Sequence, residues 1–113
     1  MSRIRSIHPD TWEAASRWGG SGAHVYVIEE ENGPVKIGIA RNAFWRKADL
    51  QSGNVRQLQL RAVYQCDTRY EAAAIEKAVL DKFSDARLRG EWLLASFADV
   101  VAFIEMSNEV HKP

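Results

Sequence analysis

Long apolar runs, paired cysteines and a net charge are all missing from this sequence, and each absence removes a class of protein. No stretch of about 18 apolar residues occurs, so no membrane-spanning helix is expected. Residues Met1–Asp10 lack the apolar core of a secretory signal. Cys66 is the only cysteine, which rules out an internal disulfide and a cysteine-based zinc site and suits a reducing cytoplasm. It stands in an alternating apolar stretch, where a free thiol is expected to be a buried structural group. Fifteen basic and fifteen acidic residues cancel, so the chain as a whole carries no attraction for polyanions. Internal repeats and low-complexity segments are absent as well. What remains is 113 residues with 46% hydrophobic content, enough for one domain with a modest core and no staple.

The chain divides at Gly19-Gly20-Ser21-Gly22, a glycine-rich break. Residues 1–22 read as an arm in which Asp10 or Thr11 caps a short helix from Trp12 to Trp18. With no other domain to serve, the arm is expected to lie on the core or to mediate a homodimer. Residues 23–106 read as the domain. His24–Ile28 and Val35–Ala40 are strands by β-branched content, joined by a loop containing Asn32-Gly33, a strong hairpin signal. Alternation puts Val25 and Val27 on one face, and His24, Tyr26 and Ile28 on the other. Asn42 is placed to cap a helix ending near Ser52-Gly53-Asn54, and Leu58–Cys66 alternates as a third strand. Asp67 or Thr68 caps a long helix to Phe83. Arg87–Gly90 reads as a turn, Glu91–Ala95 as a short strand and Phe97–Met106 as a last helix. Residues 107–113 should fray. The fold class is α/β in the α+β sense: a small three-stranded antiparallel sheet flanked by helices.

Several residues on this framework invite chemistry. Glu76 has apolar helical neighbours throughout, in Ala72, Ala73, Val79 and Leu80. A carboxylate so placed needs a partner, either an arginine or a metal ion. Arg46 lies one turn before Leu50 and is drawn towards the sheet, as a snorkelling arginine or a functional one. Gly38 leaves a gap in its strand, marking either a close approach or a simple bulge. Between Lys36 and Arg61 there are six basic residues and one acid, Asp49. The compensating acids, such as Glu29-Glu30-Glu31, lie elsewhere in the chain. This run of Lys36, Arg41, Arg46, Lys47, Arg56 and Arg61 is either a solvated basic surface or a contact for several phosphates. Trp45 adjoins Arg46 within it and is placed either for packing or for stacking on a base.

Taken in order, Tyr26-Val27, Lys36-Ile37-Gly38, Arg46, Glu76 and Arg89-Gly90-Glu91-Trp92 resemble the GIY-YIG nuclease superfamily. They look most like the branch named after a phage open reading frame and a meiotically upregulated yeast gene. His24-Val25-Tyr26 stands at the first motif and Lys36-Ile37-Gly38 at the second. The resemblance spans roughly residues 23–105. It implies a metal-dependent DNA endonuclease that hydrolyses phosphodiester bonds with one divalent ion, Mg²⁺ or Mn²⁺, held by Glu76. Arg46 would grip the phosphate, and Tyr26 would position the attacking water. Lys36 replaces the second-motif tyrosine and cannot take a proton while charged, so it would serve as a point charge for phosphate. His24, on the face of Tyr26, is then a candidate base. Arg3–Pro9 is similar to the starts of some phage replication proteins. Two other readings stay open: a nuclease-derived module that binds DNA without cutting it, and a protein-interaction domain on the same scaffold.

Overall fold

The computed structural model describes residues 4–12, 23–31 and 33–112. The helix expected from Trp12 to Trp18, the glycine-rich break and Asn32 therefore lie outside the described residues. Three strands form the centre of the sheet: β2 (Ala23–Glu30), β3 (Val35–Ala40) and β4 (Leu58–Cys66). Strand β2 pairs antiparallel with both of the others. The expected three-stranded sheet is in fact a seven-stranded mixed sheet. The extra strands are β1 (Ile4–Ser6), β5 (Arg87–Arg89), β6 (Trp92–Leu93) and β7 (Val110–His111), and the order is β5-β6-β3-β2-β4-β1-β7. Each added strand is two or three residues long, too short for alternation to reveal. Strand β1 comes from the expected arm and β7 from the tail expected to fray; they pair with each other in parallel. Arg87–Arg89, expected as a turn, is the edge strand β5.

Among the described residues, three α-helices cover the two faces: α1 (Ala43–Ser52), α2 (Arg69–Lys82) and α3 (Phe97–Ser107). Each begins at a side chain that accepts a backbone N–H, from Asn42, Thr68 and Ser96 in turn. Thr68 and Glu71 complete a reciprocal capping box. Alternation along β2 splits the core as expected. Val25 and Val27 join Val35, Ile37, Tyr64 and Cys66 under Ala72, Ile75 and Val79 of α2 and Val100 and Ile104 of α3. Tyr26 and Ile28 join Ala43, Leu58 and Val63 on the opposite face, with Leu50 of α1 packed against them. Buried Tyr64 donates to Glu105 on α3 at 2.9 Å, and Glu105 pairs in turn with Lys112 beyond β7. Cys66 is buried, and burial pushes its thiol pKa up to about 12.

Strand β4 departs from simple alternation. The register of β2 with β4 slips by one between Val27 and Ile28, which pair with Ala62 and Leu60. Arg61 is the extra residue of a β-bulge, so the residues before it face the other way from those after it. Leu58 and Leu60 therefore turn towards α1, while Ala62, Tyr64 and Cys66 turn towards α2 and α3.

Gly38 sits directly opposite Tyr26 in the β2–β3 ladder. Its gap is neither a bulge nor a ligand approach. The Tyr26 ring lies across it, and a Cβ on residue 38 would overlap the hydroxyl end of that ring. Gly38→Ala is therefore expected to destabilise the fold by about 1–3 kcal/mol in urea unfolding. Most of that cost should vanish in a Tyr26→Leu background, because the two changes act on one contact.

Candidate functional site

The rows of side chains under α1 follow from the register. Ile28, Tyr26 and His24 on β2 stand opposite Lys36, Gly38 and Ala40 on β3. Tyr26 is 2% exposed and His24 is 1% exposed. The His24 imidazole is bonded through Nδ1 to the Arg41 carbonyl at 3.0 Å, so Nδ1 carries the proton and donates. Its Nε2 has no hydrogen-bond partner among the described residues. Burial lowers the His24 pKa, against the opposing effect of the hydrogen bonds to the Arg41 and Ala40 backbone. The ring is thus a neutral prop between β2 and the start of α1.

Lys36 is buried, whereas Arg41, the next cation of the basic run, is exposed. Its ammonium lies 2.7 Å from Oε2 of Glu91 and 5.8 Å from the centre of the Trp92 ring. Trp92 is the cross-strand partner of Lys36, and Ile37 donates its backbone N–H to the Glu91 carbonyl at 3.2 Å. The turn that delivers Glu91 needs Gly90, which adopts φ 57°. The Arg87 side chain fastens that turn by donating to the Gly90 carbonyl at 2.6 Å. Lys36 is therefore a neutralised internal cation and not a free phosphate ligand.

Glu76 is half-buried on α2, with Ala72 and Val79 of its expected apolar surroundings buried beside it and Ala73 exposed. It forms no ion pair with a described residue. Burial raises its carboxyl pKa first, the charge of Glu91 raises it further, and Lys36 and Arg87 pull it back. Glu76, Glu91, Lys36 and Arg87 thus form one electrostatic cluster at the β3–β6 edge. Glu91 and Arg87 were not among the sequence candidates for the site. Arg89-Gly90-Glu91-Trp92 carried part of the resemblance, but nothing in its local sequence tied Glu91 to Lys36, 55 positions earlier.

The remaining candidates lie on or near α1. Arg46 is exposed, and its side chain pairs with no described residue. No hydrogen bond or ion pair joins Arg46, Tyr26 and Glu76 to one another. The basic run is partly cancelled by the fold, because β2 lies antiparallel to β4 and brings Glu29 and Glu30 alongside Gln59 and Leu58. Arg56 pairs with Glu30 at 3.3 Å and Arg61 with Glu29 at 3.7 Å. Arg61 also rests 3.9 Å from the centre of the Phe97 ring. Arg41, Arg46 and Lys47 are left as cations without an acidic partner among the described residues. Trp45, 49% exposed, stands among them against the edge of Phe44.

The T5orf172 domain model matches residues 23–108, which include every element from β2 to α3. The chain belongs to the T5orf172 domain family. This is a phage-associated domain related to the GIY-YIG/HNH-like nuclease fold, which suggests a nuclease-like or DNA-binding function. No curated protein and no solved structure matches the chain significantly. Among the described residues, no helix of this T5orf172 domain is long and apolar enough to cross a membrane. Nor does any group of three or more histidine, cysteine or acidic side chains stand ready to enclose a metal ion.

Two predictions follow from these partners. Glu91→Gln should destabilise the protein by about 1–3 kcal/mol in urea, because it strands a buried ammonium. Lys36→Met should cost less, because Glu91 is 41% exposed at its side chain and can be hydrated. A histidine whose folded pKa lies below its unfolded value contributes stability above that unfolded value and loses it as pH falls through the folded one. The His24 contribution should therefore start to fall below its ordinary value of 6.5. Urea midpoints measured from about pH 7 to about pH 5.5 should drop less in His24→Asn than in the wild type.

Proposed function

We propose that this T5orf172 domain is a metal-dependent DNA endonuclease of the GIY-YIG type, hydrolysing phosphodiester bonds with one Mg²⁺ or Mn²⁺ ion. The observation that carries this reading is the Glu76 carboxylate, half-buried on α2 and crowded by the charge of Glu91. A single half-buried carboxylate suits a small divalent cation, which keeps most of its water and needs few protein ligands. When bound, the ion would supply positive charge to the phosphate and the leaving oxygen.

The roles of the chain's own residues differ from the simplest expectation. Glu76 is the carboxylate that would hold the ion. Arg46, exposed on α1 and without an acidic partner among the described residues, would grip the phosphate and offset its charge as the bond breaks. Arg41 and Lys47 extend that surface to neighbouring phosphates, with Trp45 beside them for a base. Tyr26 acts as a positioning residue, since its buried ring sets the seat of α1 and hence of Arg46. His24 does the same for Arg41 through its carbonyl. Lys36 sets the place of Glu91.

A second reading, DNA binding without cleavage, is favoured by one observation. Tyr26, His24 and Lys36 are all buried, and the Lys36 ammonium is committed to Glu91. The two readings separate in a cleavage assay with Mg²⁺ or Mn²⁺ on single- and double-stranded DNA. The endonuclease reading expects cutting that falls by at least about 10²-fold in both Glu76→Gln and Arg46→Ala. It also expects Mn²⁺ to raise the melting temperature of the wild type but not of Glu76→Gln. Salt-dependent binding with no cutting would replace it with the second reading.

A further inference from the structure

A groove of about 450 Å³ opens between α1 and the Leu58–Arg61 half of β4, away from the acidic edge. Leu58 and Leu60 are its apolar residues, and Trp12 and Phe44 supply aromatic ones. The Trp12 indole is fixed by its N–H bond to the Ile7 carbonyl at 3.0 Å. Gln57 and Gln59 are exposed at its rim, with Gln59 Oε1 accepting from Arg61 at 3.2 Å and Gln57 Nε2 donating to the Leu58 carbonyl at 3.4 Å, so a base would compete for these amides. Lys47 adds an ammonium with no acidic partner among the described residues. Strand β1 pairs with β4 only at Tyr64 and Gln65, so no described strand covers β4 beside the groove.

These groups match a nucleotide. Apolar and aromatic surface accepts a flat heterocycle, amides read its hydrogen-bonding edge, and a cation meets its phosphate. The volume admits about one such unit. Phe44 and Lys47 of the groove flank Trp45 and Arg46 in the α1 sequence, and Phe44 meets Trp45 edge to face, so the basic surface of α1 borders the groove. A closed duplex keeps its bases stacked inside and cannot present one here.

We propose that this groove binds one unstacked nucleotide, so that the chain prefers single-stranded or locally opened DNA to a closed duplex. The proposal rests on the DNA reading above and adds its substrate form. The full chain, labelled with ¹⁵N, is titrated with a short oligothymidylate and with a blunt duplex of equal length. The expected result is a shift of the Trp12 indole N–H with the single strand only, and single-strand affinity about tenfold or more above that for duplex. Gln59→Ala should lower single-strand affinity several-fold, and Gln59→Glu should lower it further by placing a charge against the phosphate. Both changes are on an exposed side chain and should leave the fold intact.

An unshifted indole, with both Gln59 variants binding as the wild type while Arg46→Ala binds weakly, overturns the groove and leaves the DNA reading standing. Failure of the wild type to bind either nucleic acid overturns both. A shift with an acidic aromatic peptide, and none with the oligonucleotide, would make the groove a peptide site and overturn the proposal.

Discussion

The seat of the Tyr26 ring on Gly38 is the contact on which the α1 side of the molecule depends. Glycine at 38 is required because any side chain there would occupy the space of that ring. The ring in turn fills the layer beneath Ala43 and Leu50, so the height and tilt of α1 follow from it. Arg41, Trp45, Arg46 and Lys47 all stand at the start of this helix, and the groove beside β4 is one of its flanks. A residue that resembles a catalytic tyrosine by position is thus also a packing residue of this core.

Charge is arranged by strand register as much as by composition. The three-glutamate segment is remote in sequence from the basic run, yet the β2–β4 ladder lays Glu29 and Glu30 beside it. Arg56 and Arg61 are consumed there and Lys36 is consumed by Glu91. The cations of that run left over, Arg41, Arg46 and Lys47, lie at or just before the N-terminal half of α1. An exposed ion pair adds little stability. Its consequence here is spatial, since it removes two arginines from the surface offered to a polyanion and concentrates that surface around Trp45.

The acidic edge has the opposite character. Burial and then the charge of Glu91 raise the Glu76 pKa, and Lys36 and Arg87 only partly offset them. The replacement of a tyrosine by Lys36 and the presence of Glu91 belong together, because a buried ammonium without that carboxylate would be unsupported. This coupling links the nuclease-like framework to its departure from the usual motif.

Much of the fold was legible in the sequence alone. The β2–β3 hairpin, strand β4, the caps at Asn42 and Thr68 and all three helices followed from local rules of alternation and capping. Those rules act within a few residues, and the sequence carries them openly. The domain family was equally visible, in the ordered spacing of Tyr26, Gly38, Arg46 and Glu76. The four short strands were not, since two or three residues carry no period; nor was the bulge at Arg61, which inverts a face by one inserted residue. Of the candidate site, the half-burial of Glu76 was legible from helical spacing, whereas Arg46, expected to be drawn towards the sheet, is exposed. Glu91, the burial of Lys36, the occupant of the Gly38 gap and the loss of Arg56 and Arg61 to Glu30 and Glu29 were decided only in three dimensions. Each is a contact between residues distant in the chain, and which of them meet is fixed by register and packing and not by any local preference.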